Sequence, residues 1–250
     1  MISKLKSLLE QSRRIVFFGG AGVSTESGIP DFRSKDGLYR TQTKFGRSPE
    51  EMLSYSFFLE NPEEFFAFRK ENLVFQNALP NEAHKALVRL EDKGRLLAVV
   101  TQNTDGLHQV AGSKTVFELH GSRRRNYCVD CKATYPLEYT LKPEKCRTRT
   151  GEPSPIPRCD FCGGIVRPDV VLFEESLDEE TLEGAASAIS RADTLIVGGT
   201  SLVVYPAAGL LHYFLGSNLV LINRDATPYD DRAQIVIHDS VGKVLAAVVD

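Results

Sequence analysis

Six short apolar runs constrain what this 250-residue chain can fold into: RIVFF (14–18), LLAVV (96–100), VFEL (116–119), DTLIVGG (193–199), NLVLIN (218–223) and QIVIH (234–238). Each carries Val, Ile, Leu or Phe on both faces of an extended chain. Strands buried on both sides read this way, and they belong to parallel sheets covered by helices. Helical patterns lie between several of them. Residues 81–94 put Ala83, Leu87 and Leu90 on one face and end at Gly94, suited to close a helix. Residues 177–192 carry acids early and Arg191 late, matching the helix dipole. At the N-terminus, Ile2, Leu5, Leu8 and Leu9 are spaced for an amphipathic helix packed on the domain. The pattern predicts a doubly wound α/β domain.

Two stretches interrupt it. Residues 40–80 have no strand signal and contain the aromatic helical segment NPEEFFAFRKENL (61–73). Residues 122–167 are polar and hold all five cysteines. Both read as insertions that form a smaller domain, leaving 1–39, 81–121 and 168–250 as the main one. Cys128 and Cys131 form one C-x-x-C knuckle and Cys159 and Cys162 a second, with 27 residues between them. Four thiolates from two tight turns complete a closed tetrahedral zinc shell, and a segment too polar for its own core needs such a staple. The gap exceeds the ~15–20 residues common in zinc ribbons. Cys146 lies inside it, as a spare thiol or a replacement ligand, and a set of buried or redox thiols is the competing reading. With four sulfur ligands the metal has no open position, so its role is structural and catalysis belongs elsewhere.

The run RIVFF leads into GGAGVSTESGIPDFR (19–33). A strand entering Gly-x-Gly suggests a phosphate-binding turn, but a dinucleotide fingerprint needs its third glycine three residues after the second. Here Gly22 is followed by five residues before Gly28, and then by Pro30, Asp31, Phe32 and Arg33. Three more polar stretches follow strand-like runs: TQNTDGLH (101–108), ELHGS (118–122) and GGTSLVVYPAAGL (198–210). Ligands of open α/β sheets bind at the carboxyl ends of strands. That placement gathers Gln102, Asn103, Asp105, His120, Thr200 and Ser201 around the glycine loop. Asn and Asp can read an amide, Thr and Ser can bond phosphate or ribose oxygens, and His120 suits proton transfer near neutral pH. Singly, Asp105 before Gly106 reads as a turn and a lone histidine as a core residue; His84 and His108 are read as structural.

Bulk properties exclude several classes. The net charge of −3 gives no global field for nucleic acid or an anionic membrane, and Arg123, Arg124 and Arg125 read as a solvated basic run. No run of ~18 apolar residues spans a bilayer. The first residues lack the apolar stretch and small-residue cleavage site of a signal peptide. A cytoplasmic, monomeric protein is expected, with cysteines used for metal or catalysis and not for disulfides.

Taken in order, GAGVSTESGIPDFR, TQNTDGLH, ELHGS, the two C-x-x-C pairs, GTSLVVYPAAGL and NRDATPYD resemble the sirtuin family, NAD-dependent protein deacylases, from about residue 13 onward. The resemblance implies a Rossmann-like domain, a small domain made of a helical and a zinc module, and NAD and an acyl-lysine peptide entering one cleft from opposite sides. Gly20, Ala21 and Gly22 would let the backbone approach the pyrophosphate, with Thr25 touching the cofactor. Ile29, Asp31, Asn103, Thr104 and Asp105 would border the nicotinamide. Phe32 would shield the reactive ribose carbon and Arg33 hold phosphate or ribose oxygens, which explains a loop longer than a dehydrogenase needs. Gln102 would hold the ribose, Gly199, Thr200 and Ser201 the phosphate side, and Asn223, Arg224 and Val241 the adenosine. In the implied reaction NAD is consumed: the acyl oxygen attacks the ribose carbon, nicotinamide leaves, and His120 acts as general base on the ribose hydroxyls, giving free lysine and O-acyl-ADP-ribose.

The peptide would pair as a strand between Val171, Leu172, Phe173 and Glu174 on one side and the segment around Val204 on the other. Glu174 stands where the family commonly has glycine, which adds bulk and charge beside the peptide groove and would favour basic flanking residues. Members that prefer acidic acyl chains carry Tyr-x-x-Arg where this chain has Phe66 and Arg69. Half of that clamp is missing, so acetyl or other uncharged groups are expected over succinyl. The nearest rival activity is mono-ADP-ribosyl transfer at the same NAD site. A silent zinc-ribbon binding module would not need Asn103, Asp105 and His120 together, and a dehydrogenase would need different glycine spacing.

Overall fold

The computed structural model describes residues 1–31, 37 and 46–250. Eleven strands form among these residues: β1 (Ile15–Gly19), β2 (Leu96–Thr101), β3 (Val116–Glu118), β4 (Gly121–Cys128), β5 (Thr134–Pro136), β6 (Cys146–Arg147), β7 (Pro153–Pro157), β8 (Val166–Val170), β9 (Thr194–Gly198), β10 (Asn218–Ile222) and β11 (Ile235–Ile237). All six apolar runs become strands of one sheet, in the order β11-β10-β9-β1-β2-β3, with every neighbouring pair parallel. The chain thus builds outward from β1 to β3, returns to pair β9 with β1, and continues to β11. The order reverses between β1 and β9, and a ligand crevice lies outside the carboxyl ends of strands at such a switch point.

Both sheet faces are covered, as the uniformly apolar runs require. Phe17, Val99, Ile196 and Val220 pack on one side with Leu5, Leu9, Leu87 and Leu245. Phe18, Val100, Val197 and Leu221 pack on the other with Ala185, Ile189 and Leu210. The helices fall where the sequence places them. One spans Glu82–Asp92, and Gly94 after it has φ +67°. Another spans Glu179–Arg191, capped by Asp178 through the amide of Thr181. The N-terminal helix Ile2–Gln11 buries Leu5 and Leu9 but leaves Ile2 exposed.

Helices span Pro49–Met52, Tyr55–Glu60 and Pro62–Asn72. Their aromatic residues Phe57, Phe58, Phe65, Phe66 and Phe68 share a core with Ile156 of β7 and Leu172. The cysteine-bearing segment contains a three-stranded antiparallel sheet, β5-β4-β8, and the pair β6-β7. Neither had a strand signal in the sequence.

The basic run is a correction. Only Arg124 and Arg125 are exposed, and each of the three has a structural partner. Arg123 donates to the carbonyl of Leu73, Arg124 to that of Asp105, and Arg125 to the carboxylates of Glu118 and Asp169. On β4, the run fastens elements together.

Candidate active site

The parallel register brings the polar loops to one edge. Thr101 of β2 sits beside Gly19 of β1, and Gly19 beside Gly198 of β9. The amide of Gly20 donates to Gly198 O at 3.1 Å and that of Gly22 to Gly199 O at 2.8 Å. A Cβ on Gly20 would lie 2.7 Å from Thr200 Cβ, and one on Gly22 2.8 Å from Gly199 Cα. Close packing gives these glycines a structural reason of their own. Their amides are spent inside the protein, and the missing side chains let two strand-end loops close on each other.

Thr200, mostly buried, accepts from Gln102 Nε2 through its hydroxyl at 3.1 Å, which joins the loops after β2 and β9. Ser201 lies next to it. Thr25 donates to Gly22 O at 3.0 Å. Ile29 is buried, Asp31 is half-exposed, and Phe32 and Arg33 lie outside the described residues.

Ser24 is a junction that the sequence did not single out. Its hydroxyl donates to Asp105 Oδ2 at 2.7 Å and accepts from Asn103 Nδ2 at 3.1 Å. Asp105 also accepts the amide of Leu107 through Oδ1, at 2.8 Å. The turn reading and the site reading of Asp105 thus hold together, one for each carboxylate oxygen. None of these bonds among the described residues uses Asn103 Oδ1. Thr104 holds β4 through its carbonyl, which accepts from the Arg123 amide. Glu26 ties the loop to the sheet's far half by accepting from the amide of Gly242, at the start of helix Val241–Val248.

His120 follows β3. Its Nδ1 lies 2.9 Å from the carbonyl oxygen of Gln102. A carbonyl can only accept, so Nδ1 carries the proton and Nε2 keeps its lone pair. Burial lowers the His120 pKa below the usual value, and the bond to Gln102 opposes this more weakly. The ring is therefore neutral at pH 7, with Nε2 able to take up a proton.

Farther out, Asn223 and Arg224 follow β10, and Asn223 bonds the Asp225 carbonyl. Val241 is buried in the core beneath Gly198. On the other side, Val171 donates its amide to His120 O. The structure thereby places the 170–175 segment directly beside the base. Leu172 is buried, while Phe173 is 43% and Tyr205, just after half-buried Val204, 65% exposed. Glu174 has φ +78°, the conformation that glycine adopts most easily. Its carboxylate accepts from the amide and hydroxyl of Ser56 at 2.8 and 2.9 Å, at the start of helix Tyr55–Glu60. The side chain is thus tethered to the helix N-terminus.

A cavity of about 560 Å³ is lined by Ile29, Arg69, Asp105, Leu107 and Arg123 among others. Arg69 is 5% exposed and its Nη2 has no hydrogen-bond partner among the described residues. Burial and the neighbouring Arg123 push its guanidinium down to about 10, still charged at neutral pH. It is not a surface helix arginine.

Cys128, Cys131, Cys159 and Cys162 come together, with all four sulfurs within 4.8 Å of one another. The Cys128–Cys162 and Cys131–Cys159 pairs are 3.4 and 3.5 Å apart; a tetrahedron with zinc–sulfur bonds of about 2.3 Å has edges of about 3.8 Å. The set fits zinc. A Cβ on Gly164 would lie 2.9 Å from Cys128 Sγ, so this glycine makes room for the cluster. Burial opposes ionisation of Cys159, but donation from Tyr135 and from the Cys162 and Phe161 amides brings its thiol down to about 6. Cys146 stands apart and bonds the carbonyl of Thr140.

These features define a class, a Rossmann-like α/β fold with a four-cysteine module and a buried neutral histidine at its switch-point edge. Comparison with known proteins narrows the class. The model of the Sir2 family matches residues 20–206, and the chain belongs to that family. The NAD-dependent protein deacetylase of Clostridium acetobutylicum is 57% identical, with 99% of this chain and 98% of the relative covered. That of Clostridium perfringens is 58% identical over 100% and 98%. Among solved structures, a Sir2 protein with p53 peptide and NAD+ is 41% identical, with TM-score 0.86 and coverage of 99% and 97%. A Sir2 variant with a deacetylated p53 peptide and 3'-O-acetyl ADP-ribose is also 41% identical, with TM-score 0.87 and coverage of 99% and 96%.

Proposed function

We propose that this chain is an NAD-dependent protein lysine deacetylase, which transfers the acetyl group from lysine to ADP-ribose and releases nicotinamide and O-acetyl-ADP-ribose. The observation that carries this reading is the tautomer of His120, with Nδ1–H committed to Gln102 and Nε2 free to accept a proton. NAD supplies an activated ribose carbon whose departing group is nicotinamide. The chain's own residues bind, orient and deprotonate around it.

In this reading Gly20, Ala21, Gly22 and Thr25 line the phosphate side with Gly199, Thr200 and Ser201. Gln102 orients the ribose, and His120 removes a proton from its hydroxyl. Asn103, through its Oδ1, and Asp105 face the nicotinamide amide with Ile29, Asp31 and Thr104; Phe32 and Arg33 cover the reacting carbon. Asn223, Arg224 and Val241 serve the adenosine end. An acyl-lysine peptide pairs between Val171–Glu174 and Val204. The exposed side chains of Phe173 and Tyr205 support that placement. The zinc held by Cys128, Cys131, Cys159 and Cys162 is structural. Residues 40–80 and 122–167 form a small domain, and the rest the cofactor domain.

An acetyl-lysine peptide, incubated with and without NAD beside a His120→Ala variant and followed by mass spectrometry, tests this. Loss of acetyl only with NAD, appearance of O-acetyl-ADP-ribose, and a nearly inactive variant are expected. Cleavage of NAD with the acetyl group retained overturns it.

A second reading has one specific support. Buried Arg69, with Nη2 unpartnered among the described residues, and half-buried Arg123 give the cavity beside Ile29 and Asp105 a positive wall, suited to an acyl chain that ends in a carboxylate. Phe66 offers no hydroxyl to complete such a clamp, and Asp105 opposes it. Equal or faster turnover of a succinyl peptide would make this reading primary.

A further inference from the structure

Two buried imidazoles beneath the site have no role in the reaction. His84 lies on helix Glu82–Asp92 and His108 on helix Leu107–Ala111. Their ring centroids are 4.7 Å apart, and the ring of Phe17 on β1 lies 6.3 Å from that of His108. His84 Nδ1 accepts from the Asn81 amide at 3.2 Å, which leaves the proton on Nε2. His84 Nε2 and both nitrogens of His108 have no hydrogen-bond partner among the described residues. An apolar side chain would fill the same space without that cost. Packing alone is therefore a poor account of two histidines at this position.

Each ring belongs to an anchor of the glycine loop. On one side, Asn81 Nδ2 donates to Val23 O at 2.8 Å and to Ser27 Oγ at 3.0 Å, while its backbone amide rests on His84. On the other, Asp105 holds Ser24 at 2.7 Å and caps Leu107, the residue before His108. Asp105 is close enough to His84 to act on it electrostatically. The loop at 23–27 is thus held from two sides, and the two rings, tilted at 56° to each other, link the Asn81 holder to the helix that Asp105 caps.

We propose that His84 and His108 are positioning residues of the cofactor site, which set the spacing between the Asn81 and Asp105 anchors and so fix the glycine loop. This rests on the reading of that loop as the NAD site.

Hydrogen exchange of residues 21–31 without NAD, thermal melting, and KM for NAD against kcat are measured for His108→Phe, His108→Gln and His84→Gln. In His108→Phe the melting point is expected to hold or rise while exchange over 21–31 accelerates. KM for NAD rises about tenfold with kcat changed far less, as for loss of uniform binding, and His108→Gln recovers part of the effect. His84→Gln keeps a side chain able to cap Asn81, and it decides the matter if His108→Phe does not fold. Unchanged exchange and unchanged KM in the folded variant overturn the proposal. If the wild type consumes no NAD, the functional reading fails, and the exchange comparison still tests the spacer role.

Discussion

The Nδ1–H of His120 donates to the carbonyl oxygen of Gln102 at 2.9 Å, and sheet register sets that relationship. Gln102 and His120 follow adjacent parallel strands, with Thr101 opposite Glu118 and the Leu119 amide on Thr101 O. The His120 ring is therefore oriented by backbone, and among the described residues no carboxylate contact raises its pKa.

A pH profile should reflect this. Burial lowers the His120 pKa below the usual 6.5. The neutral, active base then persists to lower pH than an exposed histidine allows. We expect kcat/KM to fall on the acid side with a midpoint below 6.5. His120→Ala should lose about 10²–10⁴-fold in kcat/KM. A midpoint above the usual value would mean that a negative charge controls the ring.

Gln102→Ala should separate two contacts. It keeps the carbonyl that orients His120 but removes the side-chain bond to Thr200 at 3.1 Å. KM for NAD should rise with the acid limb of the pH profile unmoved. A shift of that limb in the variant would show that the side chain, and not the carbonyl, sets the base.

Much of the fold was legible because parallel strands buried on both faces leave apolar runs that few other structures tolerate, and all six runs entered the sheet. β4, β5 and β8 were not legible. They lie in a polar segment whose order comes from the cysteine cluster and from partners such as Asp169 and Leu73, 44 and 50 residues from the arginines that reach them. The same limit applied at the site. Asn103, Asp105 and His120 could be gathered from strand-end positions, but Ser24 and Asn81 join residues 79 and 58 positions away. Glu174 could be read as an unusual residue at a glycine-like position, while its tether to Ser56 depends on a helix packed there by the aromatic core.

Zinc removal is expected to unfold the module before the sheet. Structural zinc contributes several kcal/mol, and each kcal/mol is worth roughly 2–4 °C at this size. Cys131→Ser or Cys162→Ser should release the metal and lower the melting point accordingly, as read by metal analysis and calorimetry. Cys146→Ser should retain one zinc per chain, since its sulfur bonds Thr140 O and not the cluster.

Arg167 and Glu175 form a second brace beside the peptide segment. Two 2.8 Å bonds join them, Arg167 is 3% exposed, and Glu175 also accepts the Leu172 amide. Removing one member leaves the other charge without its partner. Glu175→Ala should cost about 3 kcal/mol, near the lower end for a broken buried pair, and raise KM for peptide more than KM for NAD. Denaturant unfolding and steady-state kinetics check the two parts.

Acid should destabilise the protein through its buried histidines. Burial brings His84 down to about 4 and His108 well below its usual 6.5. In the unfolded chain both titrate near 6.5. Between those limits the unfolded state binds more protons, so stability rises with pH there and is lost as pH falls from 6.5 toward 4. His84 alone accounts for about 3 kcal/mol across that window. Carboxylates such as Glu175, held low by Arg167 against the effect of burial, add to the loss at the acid end. Comparison with a variant isolates the histidine share. The His84→Gln, His108→Phe double variant, unfolded by denaturant at a series of pH values, should show a flatter dependence between pH 6.5 and 4. Equal slopes would mean that the two rings are already protonated, or solvated, in the folded protein.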